Sequence, residues 1–425
     1  MPNQCGNQKT IKEKLTMYYF DHFKGFAHAE LDLSKPLTIL IGANGSGKSN
    51  LIEAIELLSF IAQGGRLHDI TELGRGGQLE IRGGLPSCVR YGQNAFSLGI
   101  RTQKYCYSVK VQTKPVPKIV QEHLFVDSQM VFETVAENND SKTDEILVKY
   151  QDFTLQARKP QEYVSAQKSV LSQCHNFFDK RQFTPIGIKT SVLNSPFICD
   201  PIPKMMRQYE QIGSYILAKN GANLSSVLFD LRASQKDSEI LERMLNWIKQ
   251  LPNEPYQAFD FDVTKHDSVM FGLKEEKHEK PVGANLLSDG TLRSLAVLIA
   301  LETVKLYSLA SIVVIEEFDN GLHPSRIEAL IKAILECCQR QNITVLVTTH
   351  NPATLNALPP EQLDGVVLCT GDKLVRLNDL PRYPELLERG QLGELVTRRV
   401  IEQYLAPDFE EERQREAFQW LKNLP

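Results

Sequence analysis

Apolar and polar positions along this chain fall into three textures. Leu37-Thr38-Ile39-Leu40-Ile41 is a continuous apolar run, the mark of a strand buried on both faces. After a glycine-rich stretch, Asn50-Leu51-Ile52-Glu53-Ala54-Ile55-Glu56-Leu57-Leu58 returns apolar residues at helical spacing. Ahead of it, residues 15–33 read as two strands around the turn Asp21-His22-Phe23-Lys24-Gly25-Phe26. From residue 79 to 158, short alternating runs such as Ala95-Phe96-Ser97-Leu98-Gly99-Ile100 and Tyr105-Cys106-Tyr107-Ser108-Val109-Lys110-Val111 predict antiparallel strands. Between 160 and 252 the spacing becomes helical. Leu224, Val227, Leu228 and Leu231 share one face, as do Ile240, Leu241, Met244, Leu245 and Ile248, while Pro196, Pro201 and Pro203 divide the stretch. Strand-like text resumes at Phe259-Asp260-Phe261-Asp262-Val263, and from 286 to 377 strands alternate with helices, the pattern of a parallel sheet.

These textures predict an α/β fold. A mixed sheet with flanking helices forms the head, which carries an antiparallel β subdomain and a helical insertion. The expected boundaries are 1–158 for the first part of the head, 159–252 for the insertion, 253–383 for the second part, and 384–425 for a charged helical tail. Within that tail Glu410-Glu411-Glu412-Arg413 reads as a solvated face.

Composition narrows the class. With 425 residues, 42% apolar and 24% charged, the chain is an ordinary globular protein. Its net charge of −4 gives no global pull toward nucleic acid or an anionic membrane, so any DNA contact needs a local basic patch or a partner chain. The eight cysteines form no CxxC pair, which fits a reducing cytoplasm. The start, Met1-Pro2-Asn3-Gln4-Cys5-Gly6, has no signal-peptide pattern. The longest apolar run, Leu295 to Leu301, falls far short of the roughly twenty residues a membrane span needs. A soluble cytoplasmic protein is expected.

The glycine stretch carries the chemistry. Gly42-Ala43-Asn44-Gly45-Ser46-Gly47-Lys48-Ser49 is a complete phosphate-binding loop between a strand and a helix, the context that motif requires. Glycines let successive backbone N–H groups turn toward phosphate oxygens, and the helix N-terminus adds its positive end. Lys48 would reach the outer phosphates of a nucleoside triphosphate, and the Ser49 hydroxyl would hold Mg²⁺. Further on, Ile312-Val313-Val314-Ile315 reads as a buried strand that delivers Glu316 and Glu317 to the sheet rim. Glu316 would hold the metal, and Glu317 would act as general base toward the attacking water. Ser288 and Gly290, in Leu286-Leu287-Ser288-Asp289-Gly290-Thr291-Leu292-Arg293, open a helix and could present donors to a γ-phosphate. Val345-Leu346-Val347-Thr348-Thr349 is a second buried strand, ending in His350, which could sense that phosphate.

The order of phosphate loop, Leu-Ser-Asp-Gly-Thr signature, acidic strand end and histidine resembles the ATP-binding-cassette class of P-loop ATPases. More narrowly it resembles the RecF-like and OLD-like branch, AAA-family ATPases of prokaryotic defence and mobile-element operons. The points of match are Gly42–Asn50, Gly221-Ala222-Asn223-Leu224, Leu287–Arg293, Ile315–Pro324 and Thr348–Pro352, with weaker similarity reaching Gln391-Leu392-Gly393-Glu394-Leu395. The sequence departs from the pattern at Phe318, Asp319 and Asn351, where proline, glutamate and serine are usual.

The resemblance implies ATP and Mg²⁺ as cofactors, with Asn44 and Asn50 as part of the loop. It also implies a head-to-tail homodimer or higher oligomer sandwiching two ATP molecules, so that Ser288 and Gly290 complete the opposite head's site. It places Lys24, the basic residue of its turn, near the nucleotide. Gln78, in Gly76-Gly77-Gln78-Leu79, is a candidate for the water-positioning glutamine.

The leading functional expectation is an ATPase that regulates a separate Toprim-type or HNH-type nuclease in antiviral defence. The 75 residues after His350 leave no room for a nuclease domain of the usual size, about 100 residues. A RecF-like DNA-repair clamp is the alternative and keeps nucleic acid open as a partner. A transporter subunit is disfavoured by the large separation of Gly42 and Ser288.

Overall fold

In this computed structural model the described residues are 16–135, 144–151, 160–176, 193–233, 238–252, 255–276, 280–306, 311–380, 383–398 and 400–401. The charged stretch 410–413 expected in the tail lies outside them. The chain forms two units. The first comprises Met1–Pro36 and Asn50–Asn194, the second Leu37–Ser49 and Ser195–Pro425.

The first unit is built on an eight-stranded sheet with the order β11-β10-β9-β8-β7-β6-β1-β2. Its strands are β1 (Thr16–Phe23), β2 (Phe26–Asp32), β6 (Ala95–Thr102), β7 (Tyr105–Gln112), β8 (Lys118–Val126), β9 (Gln129–Thr134), β10 (Glu145–Tyr150) and β11 (Gln161–Ser165). All its pairings are antiparallel. The alternation seen in the sequence has its cause here, since Tyr107, Val109 and Val111 are buried while their neighbours are partly exposed. Two readings change. The β1–β2 turn is only Lys24-Gly25, because Asp21, His22 and Phe23 still belong to β1, with His22 and Lys24 at positive φ. The sheet also continues past residue 158, into β11. Strands β4 (Ile70–Glu72) and β5 (Leu79–Ile81) form a separate parallel pair.

Glu122, on β8, ties this unit together. It is 1% exposed. It accepts the N–H groups of Val170 at 2.6 Å and Leu171 at 2.9 Å, and the Tyr107 hydroxyl at 3.0 Å. Glu122→Ala strands three buried donors, so this unit is expected to lose about 3–5 kcal/mol of stability, read from its denaturation midpoint. A loss below about 1 kcal/mol would mean the donors find other partners.

The second unit holds the parallel sheet. Its order is β12-β17-β18-β3-β19-β20, with β3 (Leu37–Ile41), β12 (Phe197–Cys199), β17 (Ile312–Ile315), β18 (Thr344–Thr349), β19 (Val366–Cys369) and β20 (Leu374–Arg376). The pairings from β12 through to β19 are parallel, and β20 adds an antiparallel edge. Strands β3, β17 and β19 are buried at every residue, as continuous apolar runs demand when both sheet faces are covered.

A smaller antiparallel sheet contains β13 (Glu210–Gln211), β14 (Tyr256–Val263), β15 (Ser268–Glu275) and β16 (Val282–Gly283). The stretch expected to be a helical insertion does contain α2 (Leu224–Ala233) and α3 (Ser238–Gln250). It also contributes β11 to the first unit and β12 to the parallel sheet. The longest described helices of the second unit are α4 (Asp289–Leu306) and α5 (Pro324–Gln341), while α1 (Lys48–Gln63) begins at the phosphate loop. Helix α4 buries residues on every side, and its Glu302, 1% exposed, is compensated by Arg340 at 2.5 Å and Arg243 at 3.2 Å. The mixed α/β fold expected from the sequence, with parallel and antiparallel sheets and flanking helices, is therefore the one observed.

Candidate functional site

Three adjacent strands of the second unit, β17, β18 and β3, end at one edge of the parallel sheet and deliver the chemistry there. Ligands of open α/β sheets bind at this carboxyl edge. The loop after β3 is shaped by glycine. Gly45 and Gly47 adopt φ of 81° and 99°, left-handed values that L side chains avoid. At Gly42 a β-carbon would lie 2.4 Å from the Cys369 carbonyl and 2.5 Å from Ser46 Oγ. The loop is tied to the end of β19 by Gly371 N–H donating to Ser46 O at 2.9 Å.

Lys48 begins α1 and folds over the loop, donating from Nζ to Gly42 O at 2.6 Å and Ala43 O at 2.9 Å. Burial pulls its ammonium below the ordinary lysine range, opposed by Cys369 and by the Glu317 carboxylate. The group is thus held inside the loop by two of its backbone carbonyls. Ser46 Oγ is buried without a hydrogen-bond partner, and Ser49 is partly exposed. A glycine cradle that a β-carbon would fill, an orphaned hydroxyl and a loop-bound ammonium fit the phosphates of a nucleotide.

Glu316 and Glu317 follow β17 directly. Glu316 N–H donates to Cys199 O at 2.9 Å, prolonging the parallel pairing by one residue. Its carboxylate lies 3.8 Å from Lys219 Nζ. Glu317 turns out of the strand with φ 43°, so the two acids are separated by a backbone turn rather than by strand alternation alone. The Glu317 N–H donates to Thr348 Oγ1 at 3.0 Å. One carboxylate oxygen accepts from Asn320 Nδ2 at 3.2 Å, and the other lies 3.8 Å from His350 Nδ1. The structure thus brings Glu317, partly exposed, and His350, exposed, together from the ends of neighbouring strands. Ser49 and Glu316 stand at the same sheet edge with oxygen donors suited to Mg²⁺.

Ser288 lies at the start of α4. Its Oγ accepts from Thr291 N at 3.1 Å and lies 2.7 Å from Thr291 Oγ1, so it caps the helix. Gly290 is buried against Leu322, where a β-carbon would approach to 3.2 Å. Lys24 and Asn50 belong to the first unit. Lys24 is ion-paired with Glu53, which also accepts from Arg82 Nε at 2.7 Å, and Arg82 Nη2 donates to Asn50 Oδ1 at 3.3 Å. Asn44 is exposed on the phosphate loop. Gln78 follows a glycine turn whose Gly74 and Gly76 amides donate to Glu80, which holds that carboxyl below the usual range.

Sequence reasoning gave no task to three further residues. Asp319 is buried, and its Oδ2 accepts the hydroxyls of Thr349, at 2.6 Å, and Thr354. Asp200 follows β12 beside Glu316. Burial raises its carboxyl, opposed by Lys219 and Arg293 and reinforced by Glu317. A short apolar run closed by an acid, Phe197-Ile198-Cys199-Asp200, repeats the signal of Ile315-Glu316 and could have revealed it. Arg207 Nη2 donates to Leu287 O at 2.9 Å and Asp289 Oδ1 at 2.6 Å, bracing both flanks of Ser288. Among the described residues no group of three or more His, Cys, Asp or Glu could hold a metal by itself.

Comparison with known proteins bears on the same region. The model of a family described as AAA domain, putative AbiEii toxin, Type IV TA system, matches residues 37–356, from β3 through the segment after His350. The DNA replication and repair protein RecF of Gloeobacter violaceus is 54% identical over 37 residues, covering 9% of this chain and 10% of that protein. The RecF of Idiomarina loihiensis is 32% identical over 92 residues, 22% of each. The chain therefore spans less than a quarter of the length of these curated relatives. Among solved structures, an SmcHead bound to the C-winged helix domain of ScpA aligns with 85% of this chain and 97% of its own, with a TM-score of 0.44 and 11% identity. The SMC head domain from Thermotoga maritima covers 85% and 98%, with a TM-score of 0.38 and 14% identity.

Proposed function

The chain belongs to the family of AAA domains described as putative AbiEii toxin, Type IV TA system, and from that premise we propose that it is an ABC-type ATP hydrolase. On this reading two heads pair around two ATP molecules and switch a separate effector, a nuclease, in antiviral defence. The observation that supports it best is the convergence of Lys48, Glu316, Glu317 and His350 at the carboxyl edge of one parallel sheet.

Each residue has a task that its surroundings suit. Lys48 would move from the loop carbonyls onto the outer phosphates, exchanging neutral acceptors for charged ones. Ser49 and Glu316 would hold Mg²⁺, which supplies charge neutralisation at the phosphates when bound. Glu317 would take the proton of the attacking water, with Thr348 and Asn320 fixing its backbone and carboxylate. His350, facing Glu317, would contact the γ-phosphate. Ser288 and Gly290 would serve the site of the opposite head. A cytoplasmic location suits the free thiols of the seven described cysteines. Among the described residues no helix is long and apolar enough to cross a membrane.

A DNA-binding clamp is the second reading, favoured by the local RecF similarity. Mass measurement after co-purification with the products of neighbouring genes separates the two. With Mg-ATP the regulator reading expects a doubled head mass plus a companion protein. A monomer at saturating Mg-ATP would end both readings, and a dimer that retains duplex DNA without a companion would favour the clamp.

A further inference from the structure

The Gln391–Leu395 stretch matches a motif without a task, and the structure gives it a location. Helix α7 (Leu392–Thr397) packs on α6 (Ala353–Asn356), the short helix that follows His350-Asn351-Pro352. Leu392 and Leu395 are buried, and Gly393 is the contact point. Its N–H donates to Asn356 Oδ1 at 2.9 Å. A β-carbon on Gly393 would lie 2.4 Å from the Pro352 carbonyl oxygen and 2.8 Å from the Asn356 amide. No real β-carbon fits there, so any side chain must drive α7 and the loop apart.

That loop needs support from outside. The His350 side chain is 41% exposed and reaches Glu317 only at 3.8 Å, so its place is set by the backbone around it. From one side, buried Asp319 grips the loop through Thr349 and Thr354, and Asn351 N–H closes onto Thr349 Oγ1 at 2.9 Å. From another side come Gly393 and the α7 surface. We propose that α7 is the backstop of the switch loop, with Gly393 and Asn356 as positioning residues that hold His350 opposite Glu317. The proposal rests on the reading of His350 as a hydrolysis residue.

The test is a double-mutant cycle on ATP turnover, with nucleotide affinity measured separately on a fluorescent ATP analogue. Gly393→Ala is expected to lower kcat roughly tenfold, the scale of a reacting group displaced by part of an ångström, with analogue affinity and KM unchanged within about twofold. In a His350→Ala background the same change is expected to add nothing, because the residue being positioned is gone. Asn356→Ala removes the acceptor without adding volume, and a roughly threefold loss of kcat is expected. It decides the matter if Gly393→Ala does not fold. Unchanged kcat in Asn356→Ala, a full additional loss in the His350→Ala background, or a parallel loss of analogue binding would each overturn the backstop. Full turnover in His350→Ala alone would instead overturn the reading of the site on which it rests.

Discussion

Replacing Glu317 with glutamine is expected to reduce ATP turnover at least about a hundredfold while nucleotide affinity stays within about threefold of the original, the range lost when a general base is removed. The amide is nearly isosteric. It can still accept from Asn320, and the backbone bond to Thr348 Oγ1 does not involve the side chain. What it cannot do is take a proton. Glu316, one residue earlier and on the other side of the φ 43° turn, keeps its carboxylate for the metal. The binding half of the cycle should therefore persist and the hydrolytic half should stop, so that the variant accumulates as a nucleotide-loaded dimer. Single-turnover hydrolysis beside equilibrium binding checks both halves. Normal hydrolysis would remove Glu317 from the chemistry. Failure to bind Mg-ATP would exchange the roles given to the two acids.

The site divides into parts that are legible in sequence and parts that are not, and the division has a physical basis. Gly42–Ser49 and Ile312–Glu317 could be read locally, since a phosphate cradle needs glycine where φ is positive and a strand buried on two faces must be apolar at every position. Strand β12 escaped because three residues among prolines carry no periodicity. Its meaning comes from pairing with β17, more than a hundred residues later in the chain. Asp319 was noted only as a departure from the pattern, and its role escaped for a similar reason. A buried carboxylate is intelligible only beside the hydroxyls of Thr349, at the end of β18, and Thr354, in the short helix α6. The β1–β2 turn was drawn too wide because Asp21 and His22 are turn-forming types, yet pairing in register, Asp21 with His28 and Phe23 with Phe26, overrides that preference. Gly393 could be noticed in the sequence but not explained, because close approach is a property of two segments.

Ser288→Arg and Lys48→Ala are each expected to be nearly inactive alone and to restore turnover when mixed. Within its own chain Ser288 caps α4, and losing that cap costs only about 1 kcal/mol, too little to unfold a head of this size. Arg207 still braces Leu287 and Asp289 on either side. The inserted guanidinium would therefore stand where a γ-phosphate of the opposite head must approach, while the variant's own phosphate loop stays intact. Lys48→Ala carries the opposite lesion, a loop without its cation beside a sound signature. In a head-to-tail pair of the two, one site combines two intact halves and the other combines two damaged ones. Random pairing of equal amounts makes half the dimers mixed, so recovery should approach about a quarter of the unmodified turnover if the sites fire independently. Co-refolding the two variants and measuring phosphate release tests this without knowledge of the effector. Full turnover by Ser288→Arg alone would reduce Ser288 to a helix cap. Two inactive variants that stay inactive after mixing, with mixed dimers seen by mass, would mean that each head must work from its own residues.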